Sequence, residues 1–238
     1  MQDFVQLWVY LSATPLFGLT VTLAAYVAAQ AVYQRVGQAP WANPVPWTVA
    51  ALAVVLLASD TPYPTYFSGA QFIHFLLGPA VVAMAWPLWQ RRAELRRRWL
   101  AILLASLAGG STAAASAVAI GWGLGLPADI LASLATKSVT APVAMGIAEK
   151  IGGIPALAAV FAVLTGMIGA VMGKYLFDAL GVQPMTARGF ALGTCAHGLG
   201  AARALQVNAE AGAYASLALG VQVILASILM PLVFRLFF

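Results

Sequence analysis

The residues with the clearest capacity for chemistry lie in two apolar stretches that are interrupted by helix-breaking residues. In the first stretch, Lys137, Ser138 and Thr140 precede Pro142. Proline is favoured in the first turn of a helix and disfavours helical geometry at the residue before it, so we expect a half-helix to start at Pro142. The free N–H groups of such a start carry partial positive charge. Together with the Lys137 ammonium and the two hydroxyl groups, they predict a site for an anion.

The second stretch contains three glycines between Gly193 and Gly200, which loosen a helix around Thr194 and His197. A neutral imidazole can hydrogen-bond to a carboxylate, and a protonated one can pair with it or carry a proton during symport. Arg203 follows six residues after His197. It is interpreted either as a bidentate clamp on an anion or as a mark of the inner end of the helix.

Each of these side chains also has a structural interpretation. A lysine at mid-membrane costs about 2.5–3.5 kcal/mol on insertion scales, which favours a functional Lys137, although the side chain can also snorkel or form a structural pair. His197 can be a packed histidine bonded to a carbonyl group. His74 has no donor cluster beside it and Cys195 has no orienting acid, so both are interpreted as structural.

The residue inventory does not favour an enzyme or a metal site. The sequence has no H-E-x-x-H motif and no P-loop, and none of its acids falls in the middle of a predicted span. We therefore predict no catalytic residue, no cofactor and no metal, and cationic and hydroxyl groups without acids point to an anionic substrate. The acidic residues are Asp3, Asp60, Glu94, Asp129, Glu149, Asp178 and Glu210.

The composition indicates which elements position these residues. Of the 238 residues, 62% are hydrophobic and 8% are charged, whereas soluble domains are about 25% charged. The mean hydropathy of +0.90 likewise excludes a soluble domain, a disordered chain and a nucleic-acid-binding protein. A transmembrane helix needs about 20 apolar residues, so we predict an all-α polytopic membrane protein with about seven or eight segments in the lipid bilayer. It is expected to form a single membrane domain, 1–238, with peripheral N-terminal helices at 1–59 and a core at 60–238.

Charge, proline and glycine clusters divide the chain into eight predicted segments. Three of them contain a helix breaker near their middle and are followed by unbroken, alanine-rich segments. Paired breaks in corresponding segments point to a transporter site, so a transporter-like architecture with discontinuous helices is expected. The broken segments are 67–90, 129–148 and 188–206, and the others are 4–33, 47–59, 99–122, 154–177 and 212–237.

A constant offset of 57 residues relates the sequence from Leu100 to the sequence from Leu157 and indicates a possible internal repeat. The same offset places His197 opposite Thr140. If the two broken segments meet, His197 is expected beside the break between Thr140 and Pro142.

The one run of charge, Arg91–Arg98, holds five arginines and one glutamate and is predicted to be a loop. The positive-inside rule predicts that this loop is cytoplasmic. Counting spans from it places Lys150 and Arg203 on the same side of the membrane, and Lys174 and Arg188 on the other.

Long motifs occur in and around the broken segments: Leu77–Ala80, Lys137–Met145, Gly152–Leu157, Ala187–Thr194 and Ala196–Gly198. They resemble the motifs of the LrgB/CidB family. The resemblance extends over about residues 60–232, and the first 50 residues carry little of it. Cys195 stands where this resemblance leads us to expect a serine, which alters a hydroxyl-lined site without abolishing it.

The resemblance implies two kinds of function. Bacterial members are described as holin-like or antiholin-like proteins tied to murein hydrolase control and lysis, and a small LrgA/CidA-type membrane protein is commonly encoded beside them. Members are also similar to the C-terminal part of the plastid glycolate/glycerate transporter, and some are linked to pyruvate uptake. Buried Lys137 and His197 at paired breaks favour transport, because a holin-like pore needs oligomerising helices rather than these groups.

We therefore expect a proton-coupled carrier of small monocarboxylates in the bacterial inner membrane, working by alternating access and forming a homo-oligomer. The alternative is a holin-like or antiholin-like membrane protein that regulates murein hydrolase activity and moves no solute. In the carrier, His197 is the candidate for proton coupling. The expected substrate-binding residues are Lys137, Ser138, Thr140, Pro142, Thr194, His197 and Arg203.

Overall fold

The computed structural model describes residues 15–76, 79, 82, 83, 85–90 and 92–237, and the regular structure of this part is entirely helical. The predicted all-α class with broken helices is confirmed. In chain order the helices are α1 (Pro15–Arg35), α2 (Pro44–Ala58), α3 (Tyr63–Phe75), α4 (Ala85–Gln90), α5 (Arg92–Gly123), α6 (Ala128–Ala135), α7 (Ala141–Lys150), α8 (Pro155–Ala179), α9 (Met185–Val207) and α10 (Ala209–Phe237), with a 3-10 turn at Pro40–Ala42.

Five helical stretches in the described residues are long and apolar enough to cross a membrane, which agrees with a polytopic membrane protein. Few of their residues are buried within the protein, and Leu57 and Trp122 reach 79% and 75% exposure. Such apolar surface is costly in water but matches lipid tails. The candidate spans are Leu16–Arg35, Pro40–Ala58, Arg96–Gly123, Pro155–Ala179 and Ala209–Phe234.

The chain divides into two compact units, Met1–Ala83 and Met84–Phe238. In the first unit, the hydroxyl oxygens of Thr22 on α1 and Tyr66 on α3 are 2.7 Å apart. The second unit contains α4 to α10 and therefore both of the broken segments that carry the candidate site. The prediction of a single domain with a core from residue 60 stays a prediction.

The charge run is helical from Arg92 onward, which corrects the prediction of a loop at Arg91–Arg98. Residues from Arg92 onward form the first turns of α5, which is 32 residues long. Arginine, alanine, leucine and glutamate are strong helix formers, so the helix continues through the charges. At about 1.5 Å per residue α5 measures about 48 Å, which exceeds a hydrocarbon core of about 30 Å. The Arg92 guanidinium packs 4.8 Å from the centre of the Trp89 ring, as in a membrane-interface anchor.

The predicted first and third segments are described only in part. Residues 4–14 of the first lie outside the described residues, as do Gly78 and the side chain of His74 in the third. Helix α3 ends at Phe75, shortly before the predicted breaker.

Helix α9 is a helical hairpin whose tip is His197, where the backbone has φ 42° and ψ −134° inside the helix. If α9 were straight, Gly193 would lie about 21 Å from its end and Ala215 only about 9 Å from the start of α10, so they would not meet. Yet a Cβ added at Gly193 would collide with the Ala215 backbone, and one at Gly189 would collide with Ala211. From the first pair to the second, the residue number rises by four on both helices. The first half of α9 therefore runs parallel to α10. The chain therefore reverses at His197, and we name α9 hairpin 2.

Helices α6 and α7 form a second reversal, named hairpin 1, with its tip at residues 136–140. The Ile154 N–H, which follows α7, donates to Ser133 Oγ on α6 over 2.7 Å. Helix α7 has 10 residues and is about 15 Å long. If it continued in the direction of α6 it would carry Ile154 far from Ser133, so the chain must turn back after α6.

The two hairpins begin in the same way, directly after a proline, and their first residues are separated by the offset of 57 residues found in the sequence. Hairpin 1 begins at Ala128 after Pro127, and hairpin 2 begins at Met185 after Pro184 (185 − 128 = 57). Helix α8, a candidate span, separates them along the chain. Hairpin 1 comes just before the first residue of α8 and hairpin 2 just after its last, so the two hairpins start from opposite ends of α8.

The packing of hairpin 2 on α10 gives a first prediction. Replacing Gly193 by alanine should lower the free energy of unfolding by about 1–3 kcal/mol, because the new methyl group must push two helix backbones apart. The matched control is Gly220→Ala on α10, where an added Cβ has nothing within 4 Å. Thermal unfolding of both variants in detergent measures the difference, and equal midpoints would contradict the close approach of α9 and α10.

Candidate anion-binding site

Hairpin 1 presents its polar residues at the tip because the backbone is held on both sides of the break. Thr136 ends α6, and its Oγ1 donates to the Ser133 carbonyl over 2.8 Å. Helix α7 begins at Ala141, one residue before the predicted start, with Pro142 in its first turn. Thr140 is the N-cap residue and makes no side-chain capping bond. The N–H groups in the first turn of a helix have no partner within the helix. Those of α7 therefore lie at the tip of hairpin 1.

A tight turn fastens the base of hairpin 1 to the start of α8. Gly152 has φ +78°, a backbone conformation that glycine adopts without a steric penalty. A Cβ added at Gly153 would lie 2.9 Å from Ser133 N, so this position must be small. Ser133 Oγ accepts from the Ile154 N–H and donates to the Asp129 carbonyl over 2.7 Å. The motif that begins at Gly152 thus fixes where α7 ends and α8 begins.

The base of hairpin 2 is fastened to the other end of α8 by charge. Asp178 near the end of α8 accepts from Arg188 Nη2 and from Lys174 Nζ, each over 2.6 Å. Arg188 Nε also donates to the Val182 carbonyl over 2.6 Å. The Arg188 side chain therefore connects the first turn of α9 to the linker that precedes it.

The His197 side chain at the tip of hairpin 2 is packed against the middle of α8. Its Nε2–H donates to the Ala162 carbonyl over 2.7 Å, and the residue is 4% exposed. A Cβ added at Gly166 would lie 2.7 Å from His197 Cε1, so Gly166 makes the space for the imidazole. This arrangement agrees with the structural interpretation of His197, in which it is a packed histidine bonded to a carbonyl group. Proton coupling by His197 stays a prediction.

The tips of the two hairpins meet beside α8. A Cβ added at Gly198 would lie 3.8 Å from Thr140 Cγ2. Lys137 lies within electrostatic range of Cys195, and its Nζ donates to Ser138 Oγ over 3.3 Å. Lys137 is half-buried and Cys195 is exposed. The expected meeting of the two broken segments is therefore present, and Cys195 is not the packing residue that the sequence suggested.

The remaining predicted site residues are Thr194, Arg203 and Pro142, and each has different surroundings. Thr194 Oγ1 donates to the Phe190 carbonyl over 2.9 Å, and its methyl group faces Gly109 on α5. Arg203 is buried in the second half of hairpin 2, about 9 Å along the helix from His197 at 1.5 Å per residue. Pro142 is exposed on the first turn of α7. Lys137, Ser138 and Thr140 are thus the predicted residues that the tip of hairpin 1 brings together.

The electrostatics of the tips favour an anion. The sequences 131–148 and 189–209 contain no Asp or Glu, so no carboxylate on either hairpin near its tip neutralises Lys137. The backbone N–H groups at the start of α7 add partial positive charge. In a low-dielectric environment an unneutralised ammonium group attracts a small anion more strongly than it does in water. Carboxylate groups are anions of this kind and can also accept hydrogen bonds from Ser138 and Thr140.

The fold and the site define a polytopic membrane protein in which the tips of two helical hairpins meet, with a lysine at one of them. The chain matches the model of the LrgB-like family over residues 22–236 and belongs to that family. The match begins in α1, earlier than the resemblance from residue 60 that the motifs indicated.

Bacterial relatives extend over nearly the whole chain. The protein YwbG of Bacillus subtilis is 36% identical over 89% of this chain and 92% of its own. The holin-like protein CidB of Staphylococcus epidermidis is 28% identical over 96% of this chain and 99% of its own. That of Staphylococcus aureus is 27% identical over the full length of both chains. No solved structure matches the chain.

A second prediction concerns the seat of His197. The variant Gly166→Ala should loosen the tip of hairpin 2, because the new methyl group occupies the space of the imidazole and weakens its bond to Ala162. We expect faster backbone hydrogen exchange at residues 194–200 and a loss of about 1–3 kcal/mol in stability. Gly146→Ala on α7 is the matched control, since an added Cβ there has nothing within 4 Å. Unchanged exchange at the tip in Gly166→Ala would contradict the described seat.

Proposed function

We propose that this protein is a proton-coupled carrier of small monocarboxylates, with pyruvate, glycolate and glycerate as candidate substrates. The observation that supports the proposal is the meeting of two hairpin tips at Lys137, with no carboxylate on either hairpin near the tips. Paired discontinuous helices that converge inside a membrane are the usual location of a substrate site in secondary transporters. The protein acts as a carrier and not as an enzyme.

In this proposal the substrate carboxylate pairs with Lys137. Ser138 and Thr140 donate hydrogen bonds to the carboxylate or to the neighbouring oxo or hydroxyl oxygen. The N–H groups at the start of α7 add donors that a cation alone would not supply. Arg203 and Thr194 take part only if hairpin 2 moves. In the described state Arg203 is about 9 Å from the tip along the helix, and the Thr194 hydroxyl donates to the Phe190 carbonyl.

Alternating access follows from the opposite entry of the two hairpins. Each tip would close the path to its own side, and movement of one hairpin against α8 would open that side. His197 couples protons at Nδ1: while Nε2–H donates to the Ala162 carbonyl, protonation of Nδ1 gives the imidazole a second N–H to offer to a carboxylate. By the positive-inside rule the arginine-rich start of α5 is cytoplasmic. Hairpin 1 then enters the membrane from outside, and Lys174 and Arg188 lie on the cytoplasmic side. The sequence-based count placed these two residues on the opposite side, because it treated each hairpin as a segment that crosses the membrane.

Uptake by the purified protein in liposomes tests the carrier. Labelled pyruvate and glycolate should enter saturably, and faster with an acidic exterior. Lys137→Ala should lower the apparent affinity roughly 10- to 150-fold, because a hydrogen bond to a charged group contributes about 1.5–3 kcal/mol. The matched control is Lys174→Ala, which removes an exposed lysine paired with Asp178. Uptake that is equal in both variants would remove Lys137 from the site.

Cys195 provides a test that does not depend on transport. It is the single cysteine of the chain and is exposed beside Lys137. Bound carboxylate should therefore slow its reaction with a thiol reagent by several-fold, with a saturating dependence on substrate concentration. The protection should disappear in Lys137→Ala and persist in Lys174→Ala. Modification at the same rate at all substrate concentrations would place the binding site elsewhere.

The second candidate function is a holin-like or antiholin-like role in the control of murein hydrolases, in which the chain acts with a small LrgA/CidA-type membrane partner. The observation that favours it is the name of its relatives, because the two CidB proteins are called holin-like. Neither name refers to transport of a carboxylate. A holin-like assembly should release a large trapped dye from liposomes without saturation, as a homo-oligomer or with the partner, whereas a carrier should retain the dye.

A further inference from the structure

Away from the hairpin tips, a cavity with a volume of about 290 Å³ lies between α5 and α10 in the second unit. Its base reaches Ala135, the last residue of α6. Most of its wall is apolar, with Leu107 and Val118 from α5 and Leu225 and Leu229 from α10. The volume is near the lower limit of about 300 Å³ for small-molecule sites.

Two polar side chains in this wall have unused hydrogen-bonding capacity. Ser106 is fully buried and Gln222 is 5% exposed. Within the described part of the chain, Ser106 Oγ and Gln222 Oε1 have no hydrogen-bond partner. Leaving such groups unpaired in a membrane costs free energy, because lipid supplies no donor or acceptor. The pair therefore points to a bound group.

The chain is shaped to place these two groups close together. A Cβ added at Gly110 would lie 2.6 Å from Gln222 Oε1 and 2.7 Å from its Cδ, so the glycine leaves room for the carboxamide in its described position. Ser106 is four residues before Gly110 and lies on the same face of α5, about 5–6 Å away. Ser106 and Gln222 are also the first wall residues of their helices, and the residues that follow on each are mainly apolar.

We propose that this cavity binds a membrane-soluble molecule that has a neutral hydroxyl group on an apolar body. A single hydroxyl can donate to Gln222 Oε1 and accept from the Ser106 hydroxyl, so it satisfies both groups at once. A carboxylate cannot donate to Gln222 Oε1, and among the side chains that the structure describes no Lys or Arg lines the cavity to neutralise it. The ligand is therefore chemically distinct from the anion assigned to the hairpin tips. It can come from water as a medium-chain alcohol or from the bilayer as a diacylglycerol.

Photolabelling of the full chain in phosphatidylcholine nanodiscs tests the proposal. Four probes are used: a diazirine-bearing alkanol, a diazirine-bearing diacylglycerol and the O-methyl ether of each. At least one hydroxyl probe should label residues 107–118 or 225–230 five-fold or more above its ether. Preference for the alkanol alone identifies a water-borne ligand, and preference for the diacylglycerol alone identifies a lipid. Equal labelling by every hydroxyl probe and its ether overturns the proposal.

Substitutions assign the preference to the two polar groups. Gln222→Leu should remove the preference for the hydroxyl probe and raise the unfolding temperature, because it replaces an unpaired amide by an apolar group of similar size. Ser106→Ala, a smaller change, should also reduce the preference and tests the site if Gln222→Leu does not fold. Ala226→Phe should abolish labelling by filling the cavity, and Ser116→Ala on an exposed part of α5 is the control. A preference that survives both Gln222→Leu and Ser106→Ala overturns the proposal.

Discussion

Inside a bilayer no water is available to bond a backbone group that has left a helix, and this constraint governs the second unit. Irregular backbone is tolerated there only where protein covers it or where it lines a water-filled cavity. The two hairpin tips meet the requirement together, because each lies against the other and His197 bonds to a carbonyl of α8. The unusual φ of His197 is held by that bond and by the space at Gly166. The polar groups of the candidate site are thus a consequence of closing two broken helices on one intact helix.

Small residues make this closure possible. Gly189 and Gly193 place hairpin 2 directly on the backbone of α10, and Gly153 does the same for hairpin 1 and the start of α8. Close backbone approach gives dispersion contacts that larger side chains would prevent, which is the main source of helix association in lipid. The alanine- and glycine-rich composition, which makes the sequence look repetitive, therefore has a specific spatial role at each contact.

The sequence predicted the breaks but not their direction. Pro142 and the glycines around His197 mark where helices must be interrupted, and the offset of 57 residues correctly paired the two breaks. A hydrophobic pattern is the same whether a broken helix continues or folds back, so the reversal could not be predicted. The arginine run was predicted to be a loop from its charge, whereas its helix-forming residues continue α5. The signals for Gly166 and Gln222 lie in tertiary contacts that no local pattern contains.

Helix α8 contacts both hairpins, and this sharing has a mechanical consequence. Ile154, just before its first residue, is bonded to hairpin 1, its middle is bonded to His197, and Asp178 near its last turn is paired with Arg188 of hairpin 2. A rod held in this way transmits a displacement at one hairpin to the seat of the other. In a protein that opens to two sides, such a rod would act as an interlock. One hairpin could withdraw only while α8 supports the other, so a continuous path through the membrane would not form and the ion gradient would not leak.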